Sequence, residues 1–299
     1  QRKSGIVPLD GTLIGTKPGG RVEMEALPQT RAVHRALDVL EFLAANGPCE
    51  LHHLHKGTGL SKSTLRRLLA TLMERRFIRL GLSDGLYRSN IAASNSSHAE
   101  MIVRIGALVE AARPHMLALT RETEWPVDLH IYASGRMRIL ESTYGQSPFP
   151  SSNMLKPDTE LSVFAAASGL AYLAALSEAQ LTALIDTLKD EKSVSLERFG
   201  LTRPLLINDL VNIRSAGFAT RRLSRTGTGD RNAIAVALYD GRQPIGALAI
   251  SWKRPLMNAS AFAARHLDRL KQAANAISGS LQGGEIDRPG TEDYAWDYS

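Results

Sequence analysis

Leu51 to Arg76, reading LHHLHKGTGLSKSTLRRLLATLMERR, is the stretch that most restricts what this chain can become. Leu65, Leu68, Leu69, Leu72 and Met73 recur at i, i+3, i+4, i+7 and i+8, so one apolar stripe runs along a helix whose other side meets water. Ser61 stands at the N-cap position, where its hydroxyl can satisfy a free amide of the first turn. Lys62, Ser63, Thr64, Arg66 and Arg67 then crowd the outward side of the first two turns. A shorter helix, read from about Cys49 to Lys56, precedes it, and Gly59 marks the turn between them. This is the pattern of a helix-turn-helix, in which the second helix enters the major groove and its first residues read base edges and grip phosphates.

The charge is placed to match. Residues 1–90 hold 14 Lys+Arg against 8 Asp+Glu, and residues 91–299 hold 22 against 22, so the whole net charge of +6 lies in the first third. A basic segment on a neutral remainder suits phosphate attraction through one domain and another task for the rest; the plainer alternative is a solvated basic surface. With 299 residues and 43% hydrophobic content the chain is long enough for two domains with cores of their own. Cys49 is the only cysteine, which rules out an intramolecular disulfide and a zinc thiolate cluster and suits a reducing, cytoplasmic compartment. No run of about 18 apolar residues and no secretion signal is present, so a soluble protein with no membrane partner is expected.

Residues 1–29 read as a flexible tail and residues 30–95 as a winged helix-turn-helix domain. Its first helix spans Arg31 to Asn46, with Val33, Ala36, Leu37, Leu40 and Leu43 as the apolar side and Gly47 and Pro48 as the stop. Phe77 to Leu80 and Leu86 to Ser89 are two short strands around a turn at Ser83, Asp84 and Gly85; on this wing Arg79 and Arg88 are expected to reach the DNA backbone or minor groove. Residues 96–122 form a linker helix in which Ile102, Ile105, Leu108, Val109, Ala112, Met116 and Leu119 repeat at helical spacing and Pro114 kinks or restarts the helix. That stripe is richer than a lone connector needs. Packing against a second subunit is preferred over packing within the chain.

Residues 123–281 alternate strands with helices. Val127 to Ala133, Met137 to Glu141, Ile234 to Tyr239 and Ile245 to Trp252 are strands; Ala165 to Leu176, Glu178 to Leu188, Pro204 to Ala216 and Ala259 to Leu281 are helices. The fold class is α+β, an antiparallel sheet with helices on its faces. Residues 282–299 are an acidic tail.

The order of these elements, with the wording of LSKSTLRRLLATLMERRFIRL and AAASGLAYLAAL, resembles the IclR family of bacterial transcriptional regulators over about Arg31 to Leu281. The segments TEWPVDLHI, ASGLAYLA and IAVALYDGRQPIGALAISW look closest to the branch that controls catabolism of hydroxyphenylpropionates and related aromatic acids. The resemblance implies a linker helix joining the winged domain to a GAF-like effector-binding domain, assembly as a homodimer or homotetramer, and double-stranded operator DNA as partner. It places Ser61, Lys62, Ser63, Thr64, Arg66 and Arg67 on the DNA-contacting helix, Ala165, Ala166, Ala167, Ser168 and Gly169 on the loop and helix start that frame an effector pocket, and Ala233, Ala249 and Ser251 on pocket-lining strands. Members that sense glyoxylate-like acids carry a cysteine and a serine where this chain has Ala233 and Ala249. The implied pocket is larger and less polar, fit for an aromatic carboxylic acid.

An aromatic carboxylate needs donors, and the amides of Ala166, Ala167 and Ser168 at a helix start supply them with the helix dipole, the Ser168 hydroxyl adding another. Arg138 and Arg222 are the candidate cations, and Trp125 a candidate aromatic wall. His52, His53 and His55 tempt a metal reading, but only Glu50 and Cys49 stand near and no metal or other cofactor is expected. Asp128 and His130 share a strand face without a nucleophile, and no GxSxG, HExxH or GxxxxGK[ST] motif occurs; TGTGD at Thr226 to Asp230 reads as a loop over the pocket mouth. No enzyme is expected. The reading is a cytoplasmic, ligand-responsive transcription factor for catabolic genes; the alternatives are an IclR-type sensor of a small non-aromatic acid, or a DNA-binding protein whose second domain only oligomerises.

Overall fold

The computed structural model describes residues 30–91, 97–149, 156–191, 193–222 and 231–282, with no account of the side chains of residues 97–102. The expectations for the two tails, for residues 92–96, for the Ile102 side chain and for the TGTGD loop therefore lie outside the described residues.

The N-terminal unit is built from α1 (Arg31–Asn46), α2 (Leu51–Thr58), α3 (Lys62–Glu74), β1 (Ile78–Leu80) and β2 (Tyr87–Ser89). Leu54 of α2, Leu65, Leu69 and Leu72 of α3 and Ile78 of β1 close one core with Val39 and Leu43 of α1. The foreseen stripe of α1 is shifted: Val39 is fully buried, while Val33 and Leu37 are 55% and 47% exposed because no element among the described residues covers the first turns. Cys49 is not helical. After Pro48 it stays extended and exchanges backbone hydrogen bonds with Tyr87, adding a short third edge to the wing, and α2 begins two residues later.

Gly59 ends α2 at φ 69°, a left-handed conformation that side chains disfavour, and this sets the tight turn into α3. Helix α4 (Ser97–Thr123) follows, and Pro114 neither ends nor restarts it. Its stripe is used within the chain: Leu108, Val109, Ala112, Met116 and Leu119 are buried against the sheet and against α8 (Ala259–Gln282). The apolar surplus that pointed to a second subunit on α4 is thereby accounted for by intrachain packing.

One antiparallel sheet organises the remainder, with strands β3 (Val127–Ala133), β4 (Arg136–Ser142), β5 (Glu160–Ser162), β6 (Ala219–Thr220), β7 (Arg231–Asp240) and β8 (Gln243–Lys253) in the order β5-β4-β3-β8-β7-β6. The four long strands match the apolar runs of the sequence, whereas β5 and β6 are too short for alternation to announce them. Each face has its own core. On one, Val127, Leu129, Ile131, Ile234, Leu248, Ile250 and Trp252 meet α4 and α8. On the other, Met137, Ala235, Ala247 and Ala249 meet α5 (Ala167–Ala175), with α6 (Glu178–Leu188) and α7 (Arg203–Ala216) beyond. The alanines let α5 lie close on the sheet.

Candidate nucleic-acid interface and effector face

On α3 the Ser61 hydroxyl accepts the Thr64 amide at 3.2 Å, as an N-cap should, and lies 3.0 Å from Ser63 Oγ and 2.9 Å from Thr64 Oγ1. Lys62, Ser63, Arg66 and Arg67 are exposed and Thr64 is half-buried, while Leu65, Leu69 and Leu72 turn to the core. Among the described residues no ion pair engages Lys62, Arg66 or Arg67. Three unpaired cations on one outward helix face form a surface that attracts phosphate. His55 is turned to a local task, its Nδ1 lying 2.7 Å from the carbonyl of Leu60 in the turn.

The wing corrects an expectation. Arg79 and Arg88 are 8% and 7% exposed, and neither is presented outward. Arg79 donates to Asn90 Oδ1 at 2.5 Å, and burial pulls its pKa down to about 10. Arg88 holds Asp84 through two parallel bonds of 3.0 Å and 2.7 Å. Burial alone would weaken its charge, but the Asp84 carboxylate outweighs that and leaves the Arg88 pKa raised and the Asp84 pKa lowered. Both arginines alternate inward because the short hairpin packs on the rest of the molecule, which local pattern alone does not reveal.

The predicted effector positions fall into two groups. The register opposes Ala233 to Ser251, and Ala249 to both Ala235 and Asp128, so these residues share the sheet face under α5. Ser168 is 2% exposed near the start of α5, and its hydroxyl has no partner among the described residues. Gly169 beside it is required by contact: a Cβ there would lie 2.2 Å from the carbonyl oxygen of Val163. Ala165 and Ala166 precede the helix, but their amides already donate to the Ser162 carbonyl at 3.4 Å and 3.0 Å, so the free amides begin with Ala167.

Two expected residues stand elsewhere, and a third is at the site but already engaged. Trp125 packs with the α4–α8 core on the opposite face, stacked on Phe149 at 4.3 Å and edge-on to Phe262 at 6.1 Å, so it walls no pocket beneath α5. Arg138 pairs in register with Ile131, whose side chain belongs to that same opposite core. Arg222 does lie beside the α5 loop, its amide bonded to the Ala165 carbonyl at 3.0 Å, but its guanidinium is paired with Asp209 of α7.

The α5 face also holds polar groups that were read as merely structural or passed over. Asp128 accepts the Ser142 hydroxyl at 2.6 Å. His130 is 3% exposed with Nδ1 unpartnered among the described residues, and burial drives its pKa down to about 4 although Asp128 pulls the other way. Arg231 donates to the Ser251 hydroxyl and lies 5.7 Å from the centre of the Tyr144 ring. The period-two alternation of VDLHIYA announced the first two of these; Arg231 carried no signal, because only the β7–β8 register brings it to Ser251. A separate cleft of about 240 Å³ opens at the far end of α5, between α7 and β7, lined in part by Ala171, Ala174, Ile213, Arg214 and Tyr239 and by none of the predicted effector residues.

A helix-turn-helix with free cations on its second helix, joined by a helix to a sheet domain with a buried polar face, defines a two-domain DNA-binding regulator. Residues 32–80 match the IclR helix-turn-helix domain and residues 101–279 match the bacterial transcriptional regulator IclR C-terminal domain. The chain belongs to the IclR family, whose members are transcriptional regulators and not enzymes. The HTH-type transcriptional regulator BhcR of Paracoccus denitrificans is 28% identical over 215 residues, covering 70% of this chain and 72% of that protein. The crystal structure of the Thermotoga maritima IclR superposes with a TM-score of 0.51 at 18% identity, covering 84% of this chain and 98% of that one. A putative transcriptional regulator of Rhodococcus sp. RHA1 does so with 0.51 at 18%, covering 85% and 98%. Among the described residues no helix is long and apolar enough to cross a membrane.

Proposed function

We propose that this regulator senses an aromatic carboxylic acid and in response changes its grip on the operator of catabolic genes. Residues 30–95 act as the DNA-binding domain, 96–122 as the linker and 123–281 as the sensor. The observation that carries the sensor reading is the buried face under α5, where small Ala233 and Ala249 lie among polar groups, Ser168 Oγ and the neutral His130 Nδ1, that have no partner among the described residues. Buried polar atoms without partners are costly, and a ligand that pairs them recovers that cost. Arg231 takes over the carboxylate-binding role first given to Arg138 and Arg222, with the α5 amides from Ala167 onward and Ser168 as further donors.

On the DNA side Lys62, Ser63, Arg66 and Arg67 enter the major groove, in a symmetric dimer that spaces half-sites about 10 bp apart or a multiple of that. The experiment is a thermal-unfolding series with benzoate, hydroxybenzoates and hydroxyphenylpropionates, since a ligand of the folded state must raise its melting temperature. A concentration-dependent rise that Arg231→Leu reduces by about tenfold in apparent affinity is expected. No rise with any aromatic acid, but one with small aliphatic acids, replaces the effector class; no rise with either leaves a domain that only oligomerises.

A further inference from the structure

Strand β4 carries an irregularity. Its register with β3 slips between Leu129 and His130: Ile139 opposes His130, Glu141 opposes Leu129, and Leu140 has no opposite residue. This is a β-bulge, and a bulge re-aims the side chains beside it. Strict alternation would send Glu141 to the α5 face with Ile139. The extra residue sends it to the α4 face and returns Ser142 to the effector face, where it bonds Asp128.

Glu141 is 1% exposed. Its Oε1 accepts the Leu82 amide at 3.1 Å and the Ser142 amide at 3.0 Å, and its Oε2 lies 3.7 Å from the Arg113 guanidinium of α4. Leu82 belongs to the wing turn between β1 and β2. Arg113 also donates to the carbonyl of Leu80 in β1, and Arg88 of β2 lies 3.7 Å from Asp158, which precedes β5. The wing turn is thus held by both the linker helix and the sensor sheet. Behind it, Ile78 of β1 is packed in one core with Leu69 and Leu72 of α3.

We propose that Glu141 and Arg113 latch the wing turn to the sensor, so that the state of the effector face reaches the recognition helix through β4 and the wing and not through the linker helix alone. Adjacent residues of one strand serve the two sites: Ser142 looks into the effector face and Glu141 holds the wing. The bulge makes this possible, because without it both would not point as they do. Burial raises the Glu141 pKa, partly offset by the two amides and Arg113, which marks how fully the carboxyl is enclosed by the contact. Chains of packed side chains and hydrogen bonds can carry coupling between sites, and the contacts above form such a chain from the effector face to the wing.

The test has two arms, both on the full chain, and only the second rests on the sensor reading. In the first, without ligand, amide hydrogen exchange is followed in the segment Gly81–Leu86. Glu141→Leu is expected to speed it at least tenfold, Glu141→Gln, which keeps an acceptor oxygen, to spare most of the protection, and exchange in α8 to stay unchanged. Should Glu141→Leu not fold, Arg113→Met probes the same contact from α4. Unchanged exchange in the wing turn of the folded variants overturns the latch. In the second arm, affinity for the duplex upstream of its own coding sequence is titrated with and without para-hydroxyphenylpropionate. Where this acid raises the melting temperature of the parent protein, the variant should keep that rise and its ligand-free affinity while the change in DNA affinity on adding acid falls to under twofold; a full change in the variant overturns the proposal. No melting shift in the parent counts against the sensor reading, and the latch is then decided by exchange alone.

Discussion

Five cations of the N-terminal unit meet two different fates. Lys62, Arg66 and Arg67 stay in water, because the leucines between them turn α3 to the core, while Arg79 and Arg88 alternate inward on a hairpin packed against the rest of the chain. Replacing Arg67 or Lys62 by alanine should therefore weaken operator binding by about 1 to 3 kcal/mol if a base edge is lost, and replacing Arg66 should lower the salt dependence by about one unit of slope if its contact is to a phosphate. Fluorescence titration at several salt concentrations reads both, and unchanged affinity in all three variants contradicts the assignment. Arg88→Met should instead lower stability through the orphaned Asp84, with loss of DNA affinity no greater than the loss of folded protein. At His130 the sign of the pH effect is fixed by burial. The folded ring stays neutral down to about pH 4 while the unfolded ring binds a proton below its ordinary value of 6.5, so the unfolded state gains as pH falls through that window. Denaturant unfolding at pH 7 and pH 5 should show a loss on the order of 2 kcal/mol at the lower pH, and His130→Leu should flatten the difference.

Elements were the most legible level. Long runs of periodic apolar residues announced α1, α3, α4, α8 and the strands β3, β4, β7 and β8, and Ser61 and Gly59 marked the ends that bound the turn. What an apolar stripe packs against was not legible. The side of α4 assigned to a partner subunit lies on its own sheet and α8, since periodicity states that a face must be covered and is silent about by what. Met116→Ala should accordingly cost about 2 to 5 kcal/mol of unfolding free energy without altering the oligomeric state seen in sedimentation. A partner-free loss of stability supports the intrachain assignment; dissociation at unchanged stability opposes it. Gly169→Leu should fail by contact with the Val163 backbone, separating α5 from the sheet and abolishing any ligand-induced melting shift while α3 retains its DNA affinity.

For the whole molecule, the sequence by itself determined the class of protein. Period and capping are local, so the helix-turn-helix, its outward cations, the concentration of net positive charge in the first third and the α+β order of the remainder follow from residues read along the chain. Tertiary structure alone decided which polar groups are buried together. Arg231 meets Ser251 through strand register, Trp125 and Arg138 fall on the face away from α5, and a single extra residue in β4 turns Glu141 toward the wing. Arg231 and Ser251 are 20 positions apart and Glu141 and Leu82 are 59, brought to one place by pairing and packing, and a one-dimensional pattern carries no record of that.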